Sequence, residues 1–351
     1  MALINLSSPH HHNLSKTSRL MMWVLLATLP GLAVQSYFYG YGTLINLIWA
    51  SSLALGFEAL VLRLRQRPIM PYLTDGSALV TAFLLALALP SFSPWWLTLV
   101  AVLFSIVFAK HLYGGLGNNP FNPAMVGYAL CLIAFPVPMT QWAGTEATLT
   151  FAQQWNWFWL ESINGGAGGI EGIDAWTRAT PLDLMRHLKG LTLNELAISN
   201  PQLGLGLTAS MWVNLAYLLG GLGLLAKRVF TWHAPVAMLA SLGFLAGLFH
   251  MGEPDLYPSA SQHLLTGATM MAAFFIVTDP VTSATSRKGK LVFGVGVGLL
   301  VFIIRSFGNY PDAFAFAILL MNLSAPLIDT YTQPKAYGHQ PKKPHSQGEK
   351  K

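Results

Sequence analysis

The chain has 351 residues, of which 53% are hydrophobic and only 10% charged, and its mean hydropathy is +0.49. A soluble chain carries about 25% charged residues, so a soluble globular domain is excluded. The formal net charge of +6 does not point to nucleic acid, because the basic residues fall between apolar segments, the pattern of a topology signal; the expected surroundings are membrane lipid.

Residues 1–19 are polar and carry His10, His11 and His12 ahead of Lys16 and Arg19. The histidines read as a solvated tail, with metal binding as the alternative, and no metal site is expected. The apolar run 20–38 is too long for the core of a signal peptide. It ends in Tyr37, Phe38, Tyr39 and Tyr41, an interfacial aromatic belt, and so reads as a retained first helix. Ten apolar segments are recognised, at approximately 20–38, 43–62, 77–89, 95–109, 121–135, 207–226, 229–249, 263–277, 291–304 and 313–328. A spanning helix needs roughly 20 residues. Segments three, four, five, eight, nine and ten fall short of that, and Pro90, Pro94, Pro120, Pro123, Pro280 and Pro311 stand at segment edges, so broken helices are expected.

Charge tests the count. With a cytoplasmic N-terminus and one crossing per segment, 16 of the 20 basic residues, Lys110 among them, fall on the cytoplasmic side. The opposite side receives Arg178, Arg186, Lys189 and Arg305, together with most of the acids, including Glu146, Glu161, Glu171, Asp174, Asp183 and Glu195. The positive-inside rule therefore favours ten crossings with both termini in the cytoplasm. A faint repeat supports this. Gly76, Ala82 and Phe83 recur as Gly267, Ala273 and Phe274, and Gly115, Phe121 and Ala124 recur as Gly308, Phe314 and Ala317. Five crossings per repeat is odd, so the second repeat enters the membrane from the opposite face, as in transporter cores. The expected fold is an all-α polytopic membrane protein of about ten transmembrane helices in two inverted five-helix repeats. Its parts are a cytoplasmic tail 1–19, a first repeat 20–136, a periplasmic loop 137–206, a second repeat 207–328 and a cytoplasmic tail 329–351.

Several features in and beside the repeats carry two readings. Glu58 lies deep in segment two and reads as an ion-pathway acid or as a neighbour of Arg63. Asp75, Asp279, Asp312 and Asp329 sit in or at the edges of apolar segments and are candidates for the same ion-pathway role, with helix capping as the competing reading for Asp75 and Asp279. The turn from Gly114 to Asn122 holds Gly114, Gly115 and Gly117 with Asn118, Asn119 and Asn122. It lines a flavin or ion site, or is a tight helix–helix turn. The single cysteine, Cys131, sits in an apolar run and reads as a small core residue.

The loop 137–206 separates the repeats. Its Trp142, Trp155, Trp157, Phe158 and Trp159 read as an interfacial belt, with stacking on a bound ring as the alternative. A flexible glycine-rich run spans 163–170. Then comes Asp174-Ala175-Trp176-Thr177-Arg178-Ala179-Thr180-Pro181. A hydroxyl-bearing Asp-x-x-Thr-x-Ala-Thr run in a loop looks like the acceptor where a flavin transferase esterifies FMN to a threonine. Thr180 is the candidate acceptor; Asp174 and Thr177 are weaker candidate cofactor-site residues. The competing reading of Thr180 is a plain N-cap for a helix opening at Pro181, and both readings need the same local geometry. Thr266-Gly267-Ala268-Thr269 is a rival acceptor core. It lacks the upstream acid and opens a membrane segment, out of reach of a soluble enzyme. No catalytic acid–base set is visible, so the chemistry would belong to the cofactor.

Leu112-Tyr113-Gly114-Gly115-Leu116-Gly117-Asn118-Asn119-Pro120-Phe121-Asn122-Pro123-Ala124-Met125, Ala179-Thr180-Pro181-Leu182-Asp183 and Thr278-Asp279-Pro280-Val281-Thr282 together carry a resemblance over nearly the whole chain. Arg305-Ser306-Phe307-Gly308-Asn309-Tyr310-Pro311-Asp312 and Pro326-Leu327-Ile328-Asp329 add to it. The chain resembles the RnfD family of membrane proteins from the Rnf/Rsx ion-translocating electron-transport complex, related to the NqrB proteins of the sodium-pumping NADH:quinone reductase. The resemblance implies FMN held covalently on Thr180, with room for a second, non-covalent riboflavin. It also implies partner membrane and iron–sulfur subunits, a flavin transferase for maturation, and electron transfer between ferredoxin and NAD coupled to sodium or proton movement across a bacterial inner membrane. Arg178 departs from the pattern, since acceptor sites more often have a small or neutral residue there. The alternatives are a solute channel or carrier of the same architecture without a cofactor, and the quinone-reductase protein, which has a longer segment before its first helix.

Overall fold

The computed structural model describes residues 14–145, 149–161, 176–186, 195, 208–308, 310 and 313–333. Within them the chain is helical, and the β pairing is one isolated bridge between Ala143 and Thr177. The first half comprises α1 (Leu14–Tyr39), α2 (Gly42–Leu64), a short α3 (Ile69–Leu73), α4 (Ser77–Ala88), α5 (Trp95–Leu103, continued as a π-helix over Phe104–His111) and α6 (Pro123–Ala134). Three short helices connect the halves: α7 (Pro136–Met139), α8 (Phe151–Asn156, continued as a π-helix over Trp157–Glu161) and α9 (Pro181–Arg186). The second half comprises α10 (Ala209–Ala226), α11 (His233–Gly252), α12 (Ala260–Leu265), α13 (Thr269–Met271, continued as a π-helix over Ala272–Ile276), α14 (Arg287–Phe307) and α15 (Phe314–Thr332).

Among the described residues six helices, α1, α2, α10, α11, α14 and α15, are long and apolar enough to cross a membrane. Three shorter apolar helices fall at segments three, four and five, and the broken pair α12–α13 falls at segment eight. Segments nine and ten, short as apolar runs, are full-length helices. Charged Arg287, Lys288, Lys290 and Arg305 lie inside α14, and Asp329 lies inside α15. Polar ends interrupt an apolar run without interrupting backbone hydrogen bonding.

A side chain from α10 mends part of the break in segment eight. The chain leaves α12 at Thr266 and passes through Gly267, whose φ of +63° suits a residue without Cβ. Asn214 of α10 donates its amide to the carbonyl oxygens of Leu265 (3.0 Å) and Gly267 (2.8 Å). Its Oδ1 accepts from the N–H of Met270 at 3.0 Å. These are the backbone groups that a helix end leaves unpaired, and in an apolar interior each needs a partner.

The two halves share a plan. Each third segment has a glycine of positive φ at or near its start: Gly76 at +78° and Gly267 at +63°. Each also has a buried hydroxyl that accepts from a basic side chain at the end of the fourth segment. Lys110 Nζ donates to Ser77 Oγ at 2.8 Å, and Arg305 Nη2 to Thr269 Oγ1 at 3.2 Å. Helix α1 packs on α4 as α10 packs on α13, and α2 on α5 as α11 on α14. Thr17 and Leu20 of α1 line one end of the bundle and Ser210 of α10 the other, so the halves run in opposite directions.

The halves meet along α1 and α10. Gly31 abuts the Tyr217 ring and Gly220 abuts the carbonyl of Ala27, approaches that a Cβ would block. Small residues at such crossings let backbones pack closely where lipid offers no hydrophobic drive. Tyr217 Oη donates to Gln35 Oε1 at 3.1 Å, and Gln35 Nε2 donates to the carbonyl of Leu87 at 3.4 Å, tying α1, α4 and α10 together. Cys131 is fully buried in the core and lies 3.8 Å from the carbonyl oxygen of Leu97, as a small core residue should.

Candidate functional site

Two of the basic residues counted as loop charges in the sequence are buried. Lys110, 2% exposed, lies in the π-helical end of α5, and Arg305, 7% exposed, lies in α14. The reading of Glu58 as a neighbour of Arg63 is corrected. Arg63 is exposed, whereas Glu58 accepts from Lys110 Nζ through both oxygens, at 2.8 and 2.7 Å. The π-helical winding turns Lys110 and His111 together toward α2, and His111 Nε2 lies 3.5 Å from Glu58 Oε1. Asp75 accepts from Ser77 N–H at 2.7 Å, so its capping reading holds. Asp329 accepts from Thr285 N–H and so fixes the turn before α14. Asp312 lies outside the described residues.

A cavity of about 310 Å³ opens at this end of the bundle, bordered by Ser77, Lys110, Asn119, Asn122 and Asp279 against apolar walls from α1, α4 and α10. The glycine- and asparagine-rich turn supplies its floor. Gly114, Gly115 and Gly117 all have positive φ, and Asn122 caps α6 by accepting from Met125 N–H at 3.3 Å. Asn122 Nδ2 also donates to Asp279 Oδ2 at 3.3 Å, which joins the two halves.

The second cavity, of about 350 Å³, lies at the opposite end. The sequence motif forms part of its wall. Gly144 N–H donates to the carbonyl of Trp176, and Arg178 N–H to the carbonyl of Trp142, both at 3.0 Å. This bridge ties the segment to the chain leaving α7. The Arg178 side chain passes over Gly144, and its Nη1 donates to the carbonyl of Thr177 at 3.0 Å. Thr180 then stands before Pro181, which opens α9. Its Oγ1 accepts from Asp183 N–H at 3.3 Å, and its carbonyl accepts from Leu184 N–H at 3.0 Å. The cap is therefore formed as its residue types lead one to expect. Thr180 Oγ1 also donates to Asp183 Oδ2 at 2.7 Å. Leu182 anchors α9 by packing over Gly267, at the break in segment eight.

Around Thr180 the cavity is lined by Tyr39, Tyr128, Trp142, Tyr217 and Tyr310, with Gln35 and Arg178 as polar groups. These aromatics come from α1, α6, α10 and two connecting segments, so no sequence window shows them together. Of the loop aromatics, Trp142 alone reaches the cavity. Trp159 packs with Trp49, Trp95 and Trp155, and Trp157 Nε1 donates to the carbonyl of Phe92 at 3.2 Å. Thr177 sits at the bridge and does not line the cavity. Asp174, the run 163–170 and the three N-terminal histidines lie outside the described residues. The rival Thr269 is fully buried, with its one hydroxyl proton shared between the carbonyl oxygens of His263 (3.0 Å) and Thr266 (2.9 Å). No group of three metal-ligating side chains occurs among the described residues.

Comparison with known proteins agrees with this architecture. The chain matches the model of the NQR2, RnfD, RnfE family over residues 4–338. It is 53% identical over 341 residues to the RnfD protein of the ion-translocating oxidoreductase complex of Pseudomonas aeruginosa (strain LESB58), covering 97% of each chain. It is 54% identical over 348 residues to the protein of the same name from Ectopseudomonas mendocina (strain ymp), covering 99% and 98%. The match to that of Vibrio atlanticus (strain LGP32) is 50% over 349 residues, covering 97% and 100%. The helical bundle and these full-length matches make the chain a multi-pass membrane protein of the NQR2, RnfD, RnfE family.

Proposed function

We propose that the chain is the membrane subunit of an ion-translocating electron-transport complex and carries FMN esterified to Thr180. The observation that carries the cofactor reading is the placement of Thr180, which lines a cavity of about 350 Å³ with five aromatic side chains around it. Ligand pockets of about 300–1,000 Å³ with aromatic walls and few polar groups suit a planar ring system. Tyr39, Tyr128, Trp142, Tyr217 and Tyr310 would bracket the isoalloxazine ring, and Gln35 offers an amide to its polar edge. Arg178, at the rim, would face the charge of the phosphodiester. Bound there, the flavin supplies the redox capacity that the side chains lack. The protein's part is to hold the ring in an apolar site and to keep water from its buried side.

The relatives' name supports the wider assignment to a multi-subunit complex; sister membrane and iron–sulfur subunits are part of this proposal. On this reading electrons pass between ferredoxin and NAD, sodium or protons cross a bacterial inner membrane, and both termini face the cytoplasm. The cavity by Lys110 then faces the cytoplasm and the Thr180 cavity faces outward, where a flavin transferase reaches it. A non-covalent riboflavin belongs to the same reading. A channel or carrier without cofactor accounts for opposed cavities but gives no role to an acceptor motif between the halves.

The test is in-gel flavin fluorescence. The full chain is produced with a flavin transferase, denatured and electrophoresed. A fluorescent band is expected for the wild type and none for Thr180→Val. A band that survives the substitution refutes the site, and a dark wild-type band refutes the covalent flavin.

A further inference from the structure

We propose that Asp183 is the general base that activates Thr180, so that the acceptor carries its own catalytic carboxylate. This rests on the reading of Thr180 as the flavin acceptor. A threonine hydroxyl is a weak nucleophile until a neighbouring base takes its proton. Thr180 Oγ1 donates to Asp183 Oδ2 at 2.7 Å, inside the roughly 2.6–3.2 Å reach required of such a base.

The valence count at this oxygen supports the assignment. A hydroxyl has one proton and two lone pairs. The proton is directed at the carboxylate, and one lone pair accepts the Asp183 N–H at 3.3 Å. One lone pair is left for bond formation, on a residue that lines the cavity. A second threonine on the cavity wall provides the contrast. Thr140 Oγ1 donates to the carbonyl oxygen of Val137 at 2.9 Å, a group that cannot take up a proton. Among the described residues lining the cavity, Asp183 is the one carboxylate and none is a histidine. The pairing therefore selects Thr180 by chemistry as well as by exposure.

The step balances without a change of oxidation state. The donor is a flavin dinucleotide, whose riboflavin phosphate is joined by a pyrophosphate bond to a nucleoside monophosphate. Thr180 Oγ1 forms the new bond to the flavin-bearing phosphorus as the bridging P–O bond breaks. The nucleoside monophosphate departs with that electron pair. The Thr180 proton passes to Asp183, which lines the cavity half-buried and returns it to water.

The competing role for Asp183 is purely structural, as the third residue of a capped helix. Asp183→Asn separates the two roles, because its amide oxygen still accepts from Thr180 and its backbone N–H is untouched. The full-length purified chain is incubated with flavin transferase and flavin adenine dinucleotide, and initial labelling rates give kcat and KM for the acceptor. The expected result is a kcat lower by roughly 10²–10⁴, the range for loss of a general base, at unchanged KM. A kcat that falls by less than about a hundredfold, whatever KM does, overturns the proposal. The two readings fail separately. A wild-type chain that takes no flavin removes the acceptor assignment itself. Labelling on Thr180 that D183N matches removes Asp183 alone.

Discussion

The buried ion pair between α2 and α5 gives a quantitative test of how the first half is held together. All three protons of Lys110 Nζ are used: on Glu58 Oε1 at 2.8 Å, Glu58 Oε2 at 2.7 Å and Ser77 Oγ at 2.8 Å. Glu58 is 1% exposed and Lys110 2% exposed, so neither has water to fall back on. Glu58→Gln leaves a buried ammonium facing a neutral amide, and loss of one partner of such a pair costs about 3–5 kcal/mol. Replacing both by methionine removes the charges together, and such replacements are often neutral or stabilising by about 1–4 kcal/mol. The double variant E58M/K110M is therefore expected to be more stable than E58Q. Its departure from the sum of E58M and K110M should reach several kcal/mol, at or above the usual range of about 0.5–3 kcal/mol for contacting residues. The assay is reversible unfolding of the purified chain in mixed micelles of increasing SDS fraction, followed by tryptophan fluorescence. An E58Q cost below about 1 kcal/mol, or a double variant equal to the sum of the single ones, would refute the argument, since a pair exposed to water is worth no more than that.

Two further substitutions probe the sites themselves. Gly267→Ala places a Cβ 2.6 Å from Leu182 Cδ1 and 2.9 Å from Arg305 Nη2, at a φ of +63°; an unfolding cost above about 1–2 kcal/mol, the left-handed backbone penalty alone, is expected in the same SDS titration, and an unchanged midpoint contradicts it. Asn122→Ala removes both the cap on Met125 N–H and the bond to Asp279; a loss of about 0.5–2 kcal/mol is expected from the cap, and faster amide exchange confined to the first turn of α6 locates it.

The ten segments were legible because each depends on a local quantity, the length of an apolar run, and the charge asymmetry between runs is additive along the chain. The break in segment eight was foreshadowed by its short run, but not its repair, because Asn214 lies 51 residues from Leu265 in sequence. Thr180 as a cap was readable from Thr-Pro and its neighbours. Asp183 stood three residues on, at the spacing of a capping box, and the signal for its bond to the hydroxyl was present in that spacing. Lys110 was misread as a loop charge because the π-helix that buries it continues α5 past the end of its apolar run.

By itself the sequence determined that this chain is a helical membrane protein, where its helices begin and end to within a turn or two, and which threonine merits attention. Those conclusions rest on hydropathy, charge and capping chemistry acting over a few residues. Tertiary structure alone decided that Glu58 meets Lys110 and that Asn122 meets Asp279. It also decided that tyrosines from α1, α6 and α10, with Tyr310, converge on Thr180. Helix packing joins Glu58 to Lys110 across 52 residues of chain and Asn122 to Asp279 across 157. The pairing is a property of the close-packed bundle, in which each buried polar group must find whatever partner the neighbouring helix presents.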